Sequence, residues 1–353
     1  MLTSGEYFLE VAYSQHCKHG QAVHGDVFLS HRIKEENRVI SVLSDGLGSG
    51  VKANVLATLT AAMATKYIEN HNDVKQTAEV ILDTLPVCSV RKISYSTFTI
   101  VDIDASAHIR IVEHGNPAYV VLRRGRAVEI PKQVINLEHW QDRTVLLSEF
   151  SAQVGDYILV FSDGVDQAAM GSRAMPLGWG GEAVRRYATD LVAKQPAASA
   201  NDLARAVADK ACELDGRVPK DDITATAFYL RQPRRLLLVT GPPFHMEKDK
   251  ELAGLIRDFP GCKVICGGTT AKIVSRELHR KIVMSTDLMD PDVPPTSRMQ
   301  GVDLITEGTI TLSRVADVLE KGLRCDSSQP NGAETLAAAL LDSDLIQFVV
   351  GTR

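Results

Sequence analysis

Two apolar strands that end in the same acidic corner constrain this chain more than any other feature. "VISVLSDGLGSGVKANVL", Val39 to Leu56, runs from an apolar stretch through Asp45 into a glycine-rich turn and a helix. "DYILVFSDGV", Asp156 to Val165, repeats that grammar around Asp163. Asp26 precedes the strand "VFLS", and the pair Asp221 and Asp222 precedes "ITATAFYL". Two of these acidic positions end strands and two begin them. In antiparallel pairing, starts and ends meet along one edge of a sheet, so the carboxylates converge. Asp-Gly alone is an ordinary turn dipeptide; the argument rests on the ordered set.

Converging carboxylates repel and raise each other's pKa unless a cation neutralises them. An oxygen-only donor set favours Mg²⁺ or Mn²⁺. Two such ions about 3.5–4 Å apart can share and acidify a water and clamp a phosphoryl oxygen. Gly46 and Gly48 allow close backbone approach, which makes the Gly46 carbonyl a candidate ligand.

The 353 residues suggest two domains, and 44% hydrophobic with 24% charged residues suits a soluble globular protein. A formal net charge of -5 argues against a general nucleic-acid binder. The N-terminus does not read as a signal peptide, and no apolar run approaches the ~20 residues of a membrane span. The 6 cysteines are scattered without a C-x-x-C pair, which suits free thiols in a reducing cytoplasm. Cys262 and Cys266 flank an expected buried strand.

Up to about Leu230 the pattern is one of hairpins with interrupting helices. "YSTFTIVDID", "HIRIVEH", "AYVVLRRG" and "AVEIP" read as an antiparallel meander. "RQPRR", Arg231 to Arg235, is a polar break, after which strands and helices alternate. Alternation predicts a parallel sheet covered on both faces. The expected fold is α+β in residues 1–231, followed by a smaller α/β, Rossmann-like domain in residues 233–353.

"VLSDGLGSGVKA", "VFSDGV" and "DDITATAF", in that order, resemble the metal-binding motifs of the PPM family of metal-dependent serine/threonine phosphatases. "DGLGSG" running into a helix, with "HGNPAYVVLRRG", His114 to Gly125, resembles the bacterial SpoIIE-type branch. The resemblance implies a phosphatase-type β-sandwich flanked by helices, with a binuclear Mn²⁺ or Mg²⁺ centre at one edge. It implies that Asp45 bridges the ions, that Asp26 and the Gly46 carbonyl complete one, and that Asp163 and Asp221 hold the other. Asp221 is favoured over its neighbour Asp222. Catalysis would rest on Asp45, Asp163 and Asp221, through attack of a metal-bridged hydroxide on phosphoserine or phosphothreonine. The implied substrate is a bacterial regulatory phosphoprotein, such as an anti-sigma-factor antagonist. Leu47 stands where many type 2C relatives carry His, so no general acid can be named. Nor does a motif supply the phosphate-gripping arginine; Arg91, Lys92 and Lys52 are more ordinary as solvated surface.

"QHCKHGQAVHGD" gathers His16, Cys17, His19 and His24 before Asp26. Imidazole and thiolate suit Zn²⁺, but the spacing fits no finger pattern and the segment reads as a loop. His24 lies near the expected metal edge. In the helix after Gly50, Val51, Val55, Leu59, Ala62, Met63 and Ile68 form an apolar stripe expected to be mostly core. The family resemblance makes that helix an activity switch. In the second domain, "TGPP", "CGGTT" and "TEGTIT" end strands where parallel sheets bind ligands. Gly267 and Gly268 are as well explained by a tight turn. "MSTDLMDPDVPPTSRMQG" reads as a long loop over that crevice. This domain is expected to sense a small-molecule effector. The alternative to an enzyme is a catalytically silent phosphatase-like scaffold with a ligand-sensing C-terminal domain; a hydrolase of small phosphate esters shares the leading chemistry.

Overall fold

The computed structural model describes residues 7–71, 73–84, 96–137, 140, 143–284, 295–322 and 330–352. Contacts divide the chain into two compact units, Met1–Gln232 and Pro233–Arg353. The first unit runs β1 (Phe8–His16), β2 (Val27–Ile33), β3 (Arg38–Gly46), α1 (Val51–Glu69), α2 (Val74–Thr84), β4 (Ser96–Ile103), β5 (His108–His114), β6 (Val120–Arg123) and β7 (Arg126–Val128). It continues with β8 (Gln133–Ile135), β9 (Val145–Ser151), β10 (Tyr157–Phe161), α3 (Asp163–Asp166), α4 (Gly181–Lys194), α5 (Ala200–Leu214) and β11 (Ile223–Arg231).

These strands form two antiparallel sheets, ordered β1-β11-β10-β6-β7 and β2-β3-β4-β5-β9-β8. The alternation of side chains along each strand sorts the core into layers. From β10, Ile158 and Val160 pack with Val39, Leu43, Val101 and Phe228 between the sheets. Its Tyr157, Leu159 and Phe161 pack on the other side, with Val184 and Ala188 from α4 and Leu203 and Val207 from α5. From β3, Ile40 and Val42 meet Ala61, Ala64 and Ile68 of α1 and Ile81 of α2. The result is a sandwich with helices on both outer faces. Each fully buried ring, such as Phe98 or Phe161, contributes roughly 1.5–3 kcal/mol.

Helix ends follow local chemistry. Ser199 and Asp202 form a capping box at the start of α5, and Asp73 Oδ1 accepts from the Lys75 and Gln76 amides at the start of α2. In the sequence, "DVKQTAEVILDTLP" predicts a helix opened by Asp73 and stopped by Pro86, and Pro86 itself lies outside the described residues.

Two expectations change here. The meander divides, because β4 and β5 stay in one sheet while the β6–β7 hairpin pairs with β10 in the other. On α1 the core face is the small-residue set Ala53, Ala57, Ala61 and Ala64 with Ile68. Val51, Val55 and Leu59 of the expected stripe are exposed, and so is Ala62. Alanines let the helix axis come close to the sheet, which a stripe of large side chains would prevent.

The second unit runs β12 (Arg235–Thr240), α6 (Asp249–Asp258), β13 (Cys262–Cys266), α7 (Gly268–Leu278), β14 (Ile282–Met284), β15 (Ser297–Met299), β16 (Val302–Thr306), α8 (Thr309–Glu320), α9 (Gly332–Leu341) and β17 (Leu345–Val350). Its sheet order is β14-β15-β16-β13-β12-β17. β16, β13, β12 and β17 are parallel, whereas β14 and β15 add an antiparallel edge. β15 therefore lies within the stretch expected to be loop, of which residues 285–294 are outside the described set. Leu236 and Leu238 pack towards α8 and α9, while Leu237 and Val239 pack towards α6 and α7. Cys266 is buried and Cys262 half-buried, both as free thiols.

Candidate metal centre

Strand register builds the site. Val27 pairs with Ser44, so Asp26 and Asp45 stand one step beyond, at the start of β2 and the end of β3. In the other sheet, Phe161 pairs with Ala225, which brings Asp163, just past β10, beside the start of β11. The Ser162 amide donates to the Thr224 carbonyl at 3.0 Å, and the Thr224 amide donates to Ser162 Oγ at 3.0 Å. The two sheet edges meet at this end of the sandwich.

The carboxylates feel one another. Burial is the main cause raising Asp45 well above the ordinary carboxylate range, followed by the charges of Asp26 and Asp163 and a hydrogen bond with Asp163. Asp163 is raised by burial and by Asp221. Asp26 is 3% exposed. Burial pushes it up to about 7 although Thr224 and Ser162 hydroxyls favour its charged form. Asp221 is half-buried, with its Oδ1 3.4 Å from Lys18 Nζ.

Asp222 differs from its neighbour. It is 3% exposed; its Oδ1 accepts from the Lys18 amide at 3.0 Å and its Oδ2 from the Gly25 amide at 2.9 Å. It anchors the loop between β1 and β2, while Asp221 faces the acidic cluster.

Three glycines let the backbone close on the site. A Cβ on Gly46 would stand 2.2 Å from the Ala53 carbonyl oxygen, and one on Gly164 2.2 Å from the Asp222 carbonyl oxygen. A Cβ on Gly25 would meet Asp222 Oδ2 at 2.9 Å and the Gly46 carbonyl at 3.7 Å. Gly46→Ala is expected to push α1 away from the end of β3, at a cost of roughly 1–3 kcal/mol. Chemical denaturation of the variant beside the wild type measures it; equal midpoints would contradict the packing argument.

The site fits hard divalent cations. The donors it could offer are carboxylates and one backbone carbonyl, and Asp26, Asp45 and Asp163 are held towards neutrality by loss of solvent and mutual repulsion, which a cation would relieve. A cavity of about 160 Å³ opens beside Asp221, lined by Gly164, Gln167, Met170, Asp215 and Lys220.

The family model for stage II sporulation protein E (SpoIIE) matches residues 35–231. The chain belongs to the SpoIIE family. This family is PP2C-like, and metal dependence is its general property. The PP2C phosphatase domain of Bacillus subtilis SpoIIE, solved with a fragment of its regulatory domain, is 18% identical, with a TM-score of 0.52. The match covers 64% of this chain and 63% of that one. The same phosphatase domain in a crystal form without domain swapping is 16% identical over 64% of this chain and 94% of that chain, with a TM-score of 0.48. The RsbU and RsbW domains of a Mycobacterium tuberculosis protein are 18% identical over 71% of this chain and 67% of that chain, with a TM-score of 0.48. At such identities the likeness is one of fold. No curated protein matches the sequence. No helix among the described residues is long and apolar enough to cross a membrane.

In this SpoIIE-family chain, sequence reasoning passed over three groups. Thr224 Oγ1 donates to Asp26 Oδ2 at 2.6 Å and accepts from Gln15 Nε2 at 3.0 Å. Ser162 joins the two strands beneath the acids. Lys18 brings a cation to Asp221. Ser162 and Thr224 were visible as the Ser and Thr of "FSDG" and "DDIT"; Lys18 carried no signal. Of the expected cations, Lys52 is exposed, and Arg91 and Lys92 lie outside the described residues. Arg38 is engaged at the other end of β3, where its Nε is 2.7 Å from Asp102 Oδ1.

Proposed function

We propose that this chain is a metal-dependent phosphoserine/phosphothreonine protein phosphatase acting on a bacterial regulatory phosphoprotein. The observation that carries the reading is the meeting of Asp26, Asp45, Asp163 and Asp221 at one end of the sandwich, with their charges acting on one another. Asp45 would bridge two Mn²⁺ or Mg²⁺ ions, Asp26 and the Gly46 carbonyl would serve one, and Asp163 and Asp221 the other. A solved RsbX structure holds magnesium. When bound, such ions supply an activated water and neutralise phosphate charge.

The chain's own residues do the positioning. Thr224 holds Asp26 by one oxygen, and Gln167 Nε2 holds Asp163 Oδ2 at 2.9 Å. Lys18 Nζ stands 3.4 Å from Asp221 Oδ1, and Lys220, whose Nζ donates to the Met170 carbonyl at 2.8 Å, lines the cavity beside Asp221; we assign these two cations to contact with a phosphorylated protein segment. The substrate class we favour is an anti-sigma-factor antagonist.

The second unit supports an effector role. Its sheet reverses direction of growth at β12, with β13 on one side and β17 on the other. Open α/β sheets bind ligands at such a reversal, beyond the carboxyl ends of the strands. A cavity of about 580 Å³ lies there, lined among others by Gly241, Phe244, His245, Lys248, Glu251 and Gly351. The turn at Gly267 and Gly268 does not line it, and Glu307 stands near Gly268, which disfavours an anion there.

Phosphate release from a phosphoserine protein by the whole chain tests the proposal. Release should require Mn²⁺ or Mg²⁺ and stop in excess chelator. Equal release in chelator, or faster turnover of nucleotides than of phosphoprotein, would overturn it.

A further inference from the structure

Outside the oxygen-only cluster, one group of side chains combines sulfur, nitrogen and oxygen donors. β1 and β11 pair from Phe8–Arg231 to His16–Ile223, so Cys17 and Asp222 stand opposite each other one step beyond the last pair. The loop that follows Cys17 returns His24 to the same place. One ligand atom each from Cys17, His24 and Asp222 lies within 4.8 Å of the others.

Two further observations make this more than a chance cluster. His24 Nδ1 is shielded from solvent and has no hydrogen-bond partner. It faces Asp222 Oδ1 at 3.6 Å, too long for a hydrogen bond. A buried ring nitrogen without a partner costs free energy that a ligated cation would remove. Asp222 is 3% exposed, and each of its oxygens takes one backbone amide. A carboxylate oxygen accepts more than one bond, so Oδ1 retains a free direction. Cys17 Sγ donates to the Gln21 carbonyl at 3.4 Å and also bonds the Asp222 carboxylate, so two of the three donors already touch.

We propose that Cys17, His24 and Asp222 form a transition-metal site, suited to Zn²⁺ and separate from the carboxylate centre. Thiolate and imidazole donors select Zn²⁺, whereas the neighbouring oxygen-only set selects Mg²⁺ or Mn²⁺. On binding, the Cys17 thiol gives its proton to solvent, and thiolate and carboxylate together balance the charge of the ion. Ligand separations in a tetrahedral zinc site run about 3.3–3.8 Å from the usual bond lengths, so a small closure of the loop completes the site. Water takes the fourth position.

The consequence is positional. The loop from Cys17 to Gly25 leads straight into Asp26. It also touches the start of α1, where Asn54 Nδ2 donates to the His24 carbonyl at 2.9 Å. A Cβ on Gly50 would meet Gln21 Oε1 at 2.7 Å. An ion at Cys17, His24 and Asp222 pins β1, β11, this loop and the first turn of α1 together. The inference does not depend on the phosphatase reading, since it concerns binding alone.

Co²⁺ substitution into the full chain, with excess Mg²⁺ present to fill the carboxylates, tests it. The wild type should bind Co²⁺ with a sulfur-to-cobalt charge-transfer band and yield it to Zn²⁺. Cys17→Ser should lose that band, and both Cys17→Ser and His24→Ala should weaken Zn²⁺ binding at least about tenfold. Asp45→Asn should keep the band, which separates this site from the carboxylate centre. Both loop positions are partly exposed, so the variants should retain the wild-type circular dichroism. An unchanged cobalt spectrum in Cys17→Ser, or Zn²⁺ affinity unaltered by both substitutions, would overturn the proposal.

Discussion

Asp45→Asn should lower Mn²⁺-dependent phosphate release by at least about a hundredfold and, in chelator, should raise the thermal midpoint of the same protein. The two effects share one cause. Asp45 is half-buried beside Asp26 and Asp163, and its ionised form is disfavoured first by loss of solvent and then by their charges. Asparagine keeps the shape and removes the charge, and its amide can donate to the Asp163 carboxylate that Asp45 now bonds. The metal-free fold gains. The proposed centre loses the carboxylate placed to serve both ions; removal of a mere outer partner of a metal ligand typically costs about 10–100-fold, and a bridging ligand should cost more. Turnover and melting curves, each with Mn²⁺ and with chelator, read both effects. The silent-scaffold alternative expects the stabilisation without any turnover to lose. A variant that keeps its turnover, or that melts lower in chelator, contradicts this account of Asp45.

The acidic corners were legible because a strand's end can be read from where its apolar run stops. Asp45 and Asp163 follow such runs, and antiparallel pairing alone then brings starts and ends together. Helix α5 is legible for a similar local reason, since "SANDLARAVADKACEL" repeats apolar residues at helical spacing and opens on the Ser199 and Asp202 that cap it. Partners distant in sequence were not. β1 pairs with β11 from Phe8–Arg231 onward, and periodicity within either strand says nothing about the other. That pairing gives Asp221 and Asp222 different surroundings and sets Cys17 opposite an acid, so a segment that reads as an ordinary loop brings sulfur, nitrogen and oxygen atoms together. α1 failed for another reason. Ranking by hydrophobicity selects Val51, Val55 and Leu59, whereas the close approach of Ala53 to Gly46 requires the alanine face inward. Packing distance, not side-chain size, chose the buried face. The β6–β7 hairpin likewise follows β5 in sequence but joins the other sheet, a choice made by which apolar face remains to be covered.

In chelator, the wild type should lose stability as pH rises from about 4 to 7, and Asp26→Asn should remove much of that loss. The ordinary Asp pKa in an unfolded chain is about 3.9. In the fold, Asp26 is pushed up to about 7, chiefly by burial, with the charges of Asp222 and Asp163 adding to it. Between these values the folded state holds a proton that the unfolded state has lost. The native state therefore binds more protons, and stability falls as pH increases. The contribution is full below the unfolded value and gone above the folded one. Its size is about 4 kcal/mol, from about 1.4 kcal/mol for each tenfold step in proton concentration across that span. Asp45 and Asp163, also raised, act in the same direction. Asparagine at position 26 still accepts the Thr224 hydroxyl, so the comparison isolates the charge. The chain has 2 tryptophans, Trp140 and Trp179, both in the first unit, so urea unfolding followed by their fluorescence reports on the unit that carries the site. The stability difference between variant and wild type should grow by a few kcal/mol between pH 4.5 and 7.5. Mn²⁺ should stabilise the wild type at the higher pH more than it stabilises the variant, because at position 26 the cation takes the place of the lost proton. Parallel stability curves for the two proteins across that range would show that Asp26 carries its charge at no cost in the folded chain.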